Sequence, residues 1–79
     1  MAKSRHNFNR IKEVLVANGE TNKSLAKHLK VTETTVSTWC TNTRQPPVET
    51  FFNIAKYLGV DAGDLFTPMK NFKIIKKRA

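Results

Sequence analysis

The chain has 79 residues, a formal net charge of +8 and a sequence pI of about 10.1. That is one small domain, and its charge points to a polyanionic partner, nucleic acid before acidic membrane. No apolar run approaches the roughly 20 residues of a membrane span, and residues 14–17, the longest near the start, are too short for a signal-peptide core.

The single cysteine, Cys40, excludes an internal disulfide and suits a reducing cytoplasm, the expected location. Charge is concentrated at the two ends. Lys3, Arg5, Arg10 and Lys12 lie in residues 1–12, and Lys70, Lys73, Lys76, Lys77 and Arg78 in residues 70–79, both segments free of acids. The body between them is nearly neutral. The arms read either as nucleic-acid contacts or as solubilising tails.

Residues 1–7 lack periodicity and are expected to form a flexible basic arm. A first helix is expected over residues 8–18, because Phe8, Ile11, Val14 and Leu15 fall on one inward stripe. Gly19 supplies the left-handed residue that commonly closes a helix. Thr21 is placed to cap a second helix over residues 22–29, followed by the tight link Lys30-Val31-Thr32 and a third helix over residues 33–41. Residues 42–47 form a loop, since Pro46 and Pro47 cannot continue a helix and restrict the residue before them.

A fourth helix fits residues 48–58, where Val48, Phe51, Phe52, Ile54, Ala55 and Leu58 make a broad apolar face, and Gly59 ends it. Asp61 caps a short fifth helix, with Asp64 in its first turn where the helix dipole favours negative charge. Leu65 and Phe66 close the core and Pro68 stops the run. The expected fold is all-α, five helices and no strand, in a domain over residues 8–67 with a basic tail over residues 68–79.

Residues 22–41 organise this arrangement as a helix-turn-helix. Leu25, Ala26, Leu29, Val31, Val36 and Trp39 recur where two short helices must cross closely. Thr34, Ser37, Thr38 and Thr41 then fall on the outer face of the second of them. Threonine is a middling helix former, so helix stability does not explain four hydroxyl residues there. Such a stripe is narrow enough for a DNA major groove, where hydroxyls donate or accept and threonine methyls meet the thymine methyl. Glu33 has two roles open to it, accepting from a cytosine amine or favouring its own helix N-terminus. Asn22 and Lys23 open the preceding helix, whose N–H groups and dipole suit a backbone phosphate. Lys27 and His28 read as ordinary exposed helix residues.

Trp39 is three residues from Val36, which assigns it to the core rather than to base stacking, and Cys40 reads as structural. His6 and His28 with one cysteine make no zinc spacing. There is no glycine-rich phosphate loop, paired-carboxylate motif or nucleophile triad. Neither an enzyme, a cofactor nor a metal is therefore expected.

The stretch from Arg10 to Phe66 resembles the Cro and phage-repressor (XRE) family of helix-turn-helix regulators, with its lambda-repressor-like domain. The resemblance is carried by Leu25-Ala26, Val31-Thr32, Val36-Ser37 and Trp39, then by Pro46, Glu49-Thr50, Ile54-Ala55 and Leu58-Gly59-Val60. It implies base contacts from Thr34 and Thr38, with Glu33 and Ser37 beside them. It further implies a phosphate clamp from Asn42, Thr43 and Arg44 after the reading helix, joined by Thr41. Lys3 and Arg5 are candidates to reach around the duplex or into a minor groove, as arms of other DNA-binding domains do. The implied protein is a sequence-specific regulator of double-stranded DNA, a repressor, acting as a homodimer on a palindromic site. The alternative is an antitoxin-type module that covers a toxin or other small protein, with DNA binding secondary.

Three departures from the family pattern matter. Lys30 stands where glycine is usual, at a turn that favours the left-handed conformation and costs a non-glycine residue roughly 1 kcal/mol. Leu15 and Cys40 replace an arginine–glutamate pair and read as a packed contact. Glu20 replaces an apolar residue, and nothing in the sequence accounts for it. The tail, with Phe72, Ile74 and Ile75 among lysines, is either a dimerising arm or a disordered segment touching DNA.

Overall fold

The computed structural model describes residues 7–69. Lys3, Arg5 and the tail from residue 70 onward lie outside the described residues, as do the roles expected of them. The order is α1 (Ile11–Ala17), α2 (Asn22–Leu29), α3 (Glu33–Cys40), α4 (Val48–Leu58) and a single 3₁₀ turn, Ala62–Leu65. Four α-helices thus stand where five helices were expected. The fifth shrinks to one turn because Gly63, a poor helix former, sits in its middle and extended chain follows at once.

The N-terminal boundary also departs from expectation. The first helix starts at Ile11, not at residue 8, and Phe8 is 45% exposed instead of lying on the inward stripe. Asn9 takes the interior place and is only 2% exposed. Its side-chain oxygen accepts the Ile11 N–H at 3.0 Å, a local bond that asparagine readily makes in competition with helix. The backbone of residues 8–10 pairs instead with residues 65–67, through Arg10 N–H to Leu65 C=O (2.8 Å) and Thr67 N–H to Phe8 C=O (2.9 Å). Periodicity placed Phe8 correctly for a helix; long-range backbone pairing decided otherwise.

The interior helix ends follow local chemistry closely. Thr21 and Ser24 cap each other across the first turn of α2, each side chain accepting the other's backbone N–H at 3.0 Å. Thr32 accepts the Thr35 N–H at 3.1 Å to start α3. All four helices close through a left-handed residue: Gly19, Lys30 (φ 61°), Asn42 (φ 60°) and Gly59. Each end carries the bond of the type Val31 N–H to Ala26 C=O (3.0 Å) that satisfies an otherwise orphaned carbonyl. The left-handed Lys30 expected at the turn is therefore present.

The core is one cluster shared by every helix, with Ile11, Leu15, Leu25, Val36, Ile54 and Leu65 fully buried. Cys40 packs against that cluster, which includes Leu15. The face of α4 is narrower than expected: Phe51, Ile54, Ala55 and Leu58 are buried, whereas Val48 is 71% and Phe52 61% exposed. At about 100° per residue the last two sit off the edge of the inward stripe. Among the described residues no helix is long and apolar enough to cross a membrane.

Candidate nucleic-acid interface

Val36 and Trp39 anchor α3 from beneath, and the row above them faces outward: Glu33, Thr34, Ser37 and Thr41 are exposed and Thr38 is half-buried. The hydroxyls are not equivalent. Thr38 donates to the Thr35 carbonyl at 2.6 Å, and Thr41 donates to the Ser37 carbonyl at 3.0 Å while lying 2.8 Å from the Thr43 hydroxyl. Their donor protons are used within the helix, so what they offer outward is a lone pair and a methyl group. Thr34 and Ser37 have no such partner among the described residues and keep both donor and acceptor character.

A cleft of about 590 Å³ opens on this face, lined by Thr34, Thr35, Thr38, Trp39, Arg44, Gln45 and Pro47. The loop after α3 thus sets Arg44 beside the expected base-contacting residues Thr34 and Thr38. On the other side, the Cys40 thiol donates to Asn22 Oδ1 at 3.4 Å, holding the first turn of α2 against the last turn of α3. Lys23 is exposed at that end of α2. The one ion pair among the described residues joins Arg10 and Glu13, so Lys23 and Arg44 have their charge uncompensated. Burial pushes the Cys40 thiol above its ordinary pKa, with Lys12 opposing in part, so the group stays a protonated hydrogen-bond donor.

Asn42 is more constrained than a surface clamp residue. Its side-chain oxygen accepts the Asn9 N–H and Gln45 Nε2, each at 3.0 Å. Its amide donates to the Asn9 carbonyl at 3.0 Å and to Asn7 at 3.4 Å. Asn9 completes the network by donating through Nδ2 to the Trp39 carbonyl (3.1 Å) and to Gln45 Oε1 (2.7 Å). Three amide side chains thereby lock the entry of the chain, the end of α3 and the following loop into one unit. Sequence reading missed Asn9 and Gln45. An asparagine just past a helix was a legible left-handed cap, but no period connects residues 33 and 36 positions apart.

Glu20 also acquires a role. Its Oε1 accepts from Ser24 Oγ (2.7 Å) and Tyr57 OH (2.9 Å), bonds that hold its carboxyl below the usual range. His28 stacks on the same tyrosine at 4.2 Å. The start of α2 is thus tied to α4 by a polar contact where the family pattern has an apolar one.

Two short helices crossing at a left-handed turn, the second presenting a polar row over a buried one, define a helix-turn-helix protein. The model of the helix-turn-helix family matches residues 11–65. The chain belongs to that family and is a regulator of its XRE type. In fold it is similar to a solved structure described as a candidate DNA-binding protein from Bacteroides fragilis. The two are 38% identical, with a TM-score of 0.75 over 76% of this chain and 97% of that one. No curated protein gives a significant match.

Proposed function

We propose that the protein is a sequence-specific double-stranded DNA-binding transcriptional repressor that works as a homodimer on a palindromic operator. In this reading α3 enters the major groove with Glu33, Thr34, Ser37 and Thr38 toward base edges. Asn22, Lys23, Thr41, Thr43 and Arg44 meet flanking phosphates, while Asn42 acts there through its own backbone and by holding the loop. The observation that carries it is the outward hydroxyl row of α3 standing over buried Val36 and Trp39. The uncompensated Lys23 at the start of α2 and Arg44 in the loop after α3 suit contacts to the phosphate backbone beside one groove. The similarity to a protein described as a candidate DNA binder supports the same partner.

Selection of binding sites from random duplexes tests this directly. A two-fold consensus with half-sites about one turn, ~10 bp, apart is expected. Failure to enrich any duplex, or displacement by single-stranded RNA more readily than by DNA, would overturn it. The rival reading, an antitoxin-type module, draws on one observation, the exposed Val48 and Phe52, and would require a second small protein that co-purifies stoichiometrically.

A further inference from the structure

The start of α2 holds an anion that a DNA-binding surface ought not to tolerate. Glu20 lies immediately before the cap Thr21, and Lys23 follows three residues later, the spacing at which opposite charges around a helical turn meet. They do not meet here, because the one ion pair among the described residues is Arg10–Glu13. The backbone of the same turn is half open. Ser24 N–H goes to the Thr21 hydroxyl and Leu25 N–H to the Thr21 carbonyl, each at 3.0 Å, whereas the N–H groups of Asn22 and Lys23 make no bond among the described residues.

A carboxylate and a phosphate want the same things at such a place: open N–H donors, the positive end of the helix dipole and a nearby cation. Glu20 therefore carries the chemistry of an internal competitor, tethered at the position where a phosphate would dock. What keeps it away is visible. Its Oε1 accepts from Tyr57 OH at 2.9 Å and from Ser24 Oγ at 2.7 Å, so the carboxylate is directed to α4.

Tyr57 is well fixed for this task. It is half-buried, packs against the core cluster, and its ring stacks on His28 at 4.2 Å. Glu20, Ser24 and His28 are spaced four apart and so follow one side of α2. A single side chain of α4 thus spans α2 from its approach to its last turn.

We infer that Tyr57 is a positioning residue for DNA binding: with Ser24 it holds the Glu20 carboxylate against α4, away from Lys23 and the open N–H groups, so that a backbone phosphate meets no competing anion there. This rests on the phosphate role given above to Asn22 and Lys23. Tyr57 itself touches no DNA and acts through Glu20.

Binding of the full chain to a random-sequence duplex across a salt series tests the inference, at a temperature below every melting transition. Tyr57→Phe keeps the ring and removes only the hydroxyl. It should make the salt dependence shallower by about 0.9, the loss of one phosphate contact, which at 0.1 M salt, tenfold below a 1 M reference, is roughly 8-fold weaker binding. Tyr57→Phe combined with Glu20→Gln removes the competing charge and should recover both the affinity and the slope. A merely structural role for Tyr57 gives weaker binding that Glu20→Gln leaves unrepaired, and that result overturns the inference. Equal binding and equal slope for Tyr57→Phe and the parent overturn it as well, while leaving the DNA-binding reading intact. A parent that binds no duplex overturns that reading and this inference with it. Should Tyr57→Phe fail to fold, Ser24→Ala, which removes the other donor to the same oxygen, carries the same test, again with recovery by Glu20→Gln as the deciding result.

Discussion

Replacing Asn9 by alanine isolates the amide network that joins the chain entry to the end of α3. The substitution deletes three hydrogen bonds: Oδ1 with the Ile11 N–H, and Nδ2 with the Trp39 carbonyl and with Gln45 Oε1. At about 1 kcal/mol net for each bond the loss is roughly 3 kcal/mol. The site is 2% exposed, so water cannot readily replace the missing partners at Ile11 and Trp39. A chain of this size has a total stability on the order of 4–12 kcal/mol, so the change is a large share of it. At about 4–8 °C per kcal/mol, thermal unfolding followed by circular dichroism should show a midpoint lowered by roughly 12–24 °C. Asn9→Asp sharpens the test. It keeps the acceptor for Ile11 but turns a carboxylate toward two oxygen acceptors, and should be no more stable than Asn9→Ala at neutral pH. An Asn9→Ala protein within about 0.5 kcal/mol of the parent, the range of an ordinary surface change, would refute the idea that this network fixes the end of the reading helix.

Further outcomes follow from other features. Lys30 occupies a left-handed conformation at φ 61°, so Lys30→Gly removes about 1–2 kcal/mol of strain and gives back about 0.4–1 kcal/mol through the freer unfolded chain; a modest rise in melting temperature is expected, and a clear fall would contradict it. Glu20 has its folded-state pKa lowered from the ordinary 4.5 by its bonds to Ser24 and Tyr57, so its contribution is complete above pH 4.5 and fades as pH falls through the lower folded value. Since Glu20→Gln does not titrate, the stability gap between parent and variant should be constant above that pH and shrink in more acidic solution, as read by unfolding midpoints. Thr38→Ala should cost roughly 1–3 kcal/mol at one base position and leave non-specific binding unchanged. Arg44→Ala should weaken all sequences alike and make the salt dependence shallower by about 0.9. Salt-titrated binding in which those two patterns are exchanged would reverse the assignments.

Much of this protein is written in residues no more than four or five positions apart. Thr21 and Thr32 as caps, Gly19 and Gly59 as left-handed stops, and Val36 and Trp39 beneath a hydroxyl row are local relations, and each appears in the structure as the spacing demands. Helix turns and caps close within one turn of chain, so composition and period suffice to place them. Other features depended on partners distant in sequence. Phe8 lies outside because residues 8–10 pair with residues 65–67; Asn9 lies inside because Asn42 and Gln45 meet it; Glu20 is held by Tyr57. The apolar flank of α4 belongs with these, since periodicity marks Val48 and Phe52 as apolar but only the packed positions of α2 and the 3₁₀ turn leave them uncovered. A hydrogen bond between segments more than thirty residues apart leaves no repeating trace in either segment, and so only the folded chain decides it.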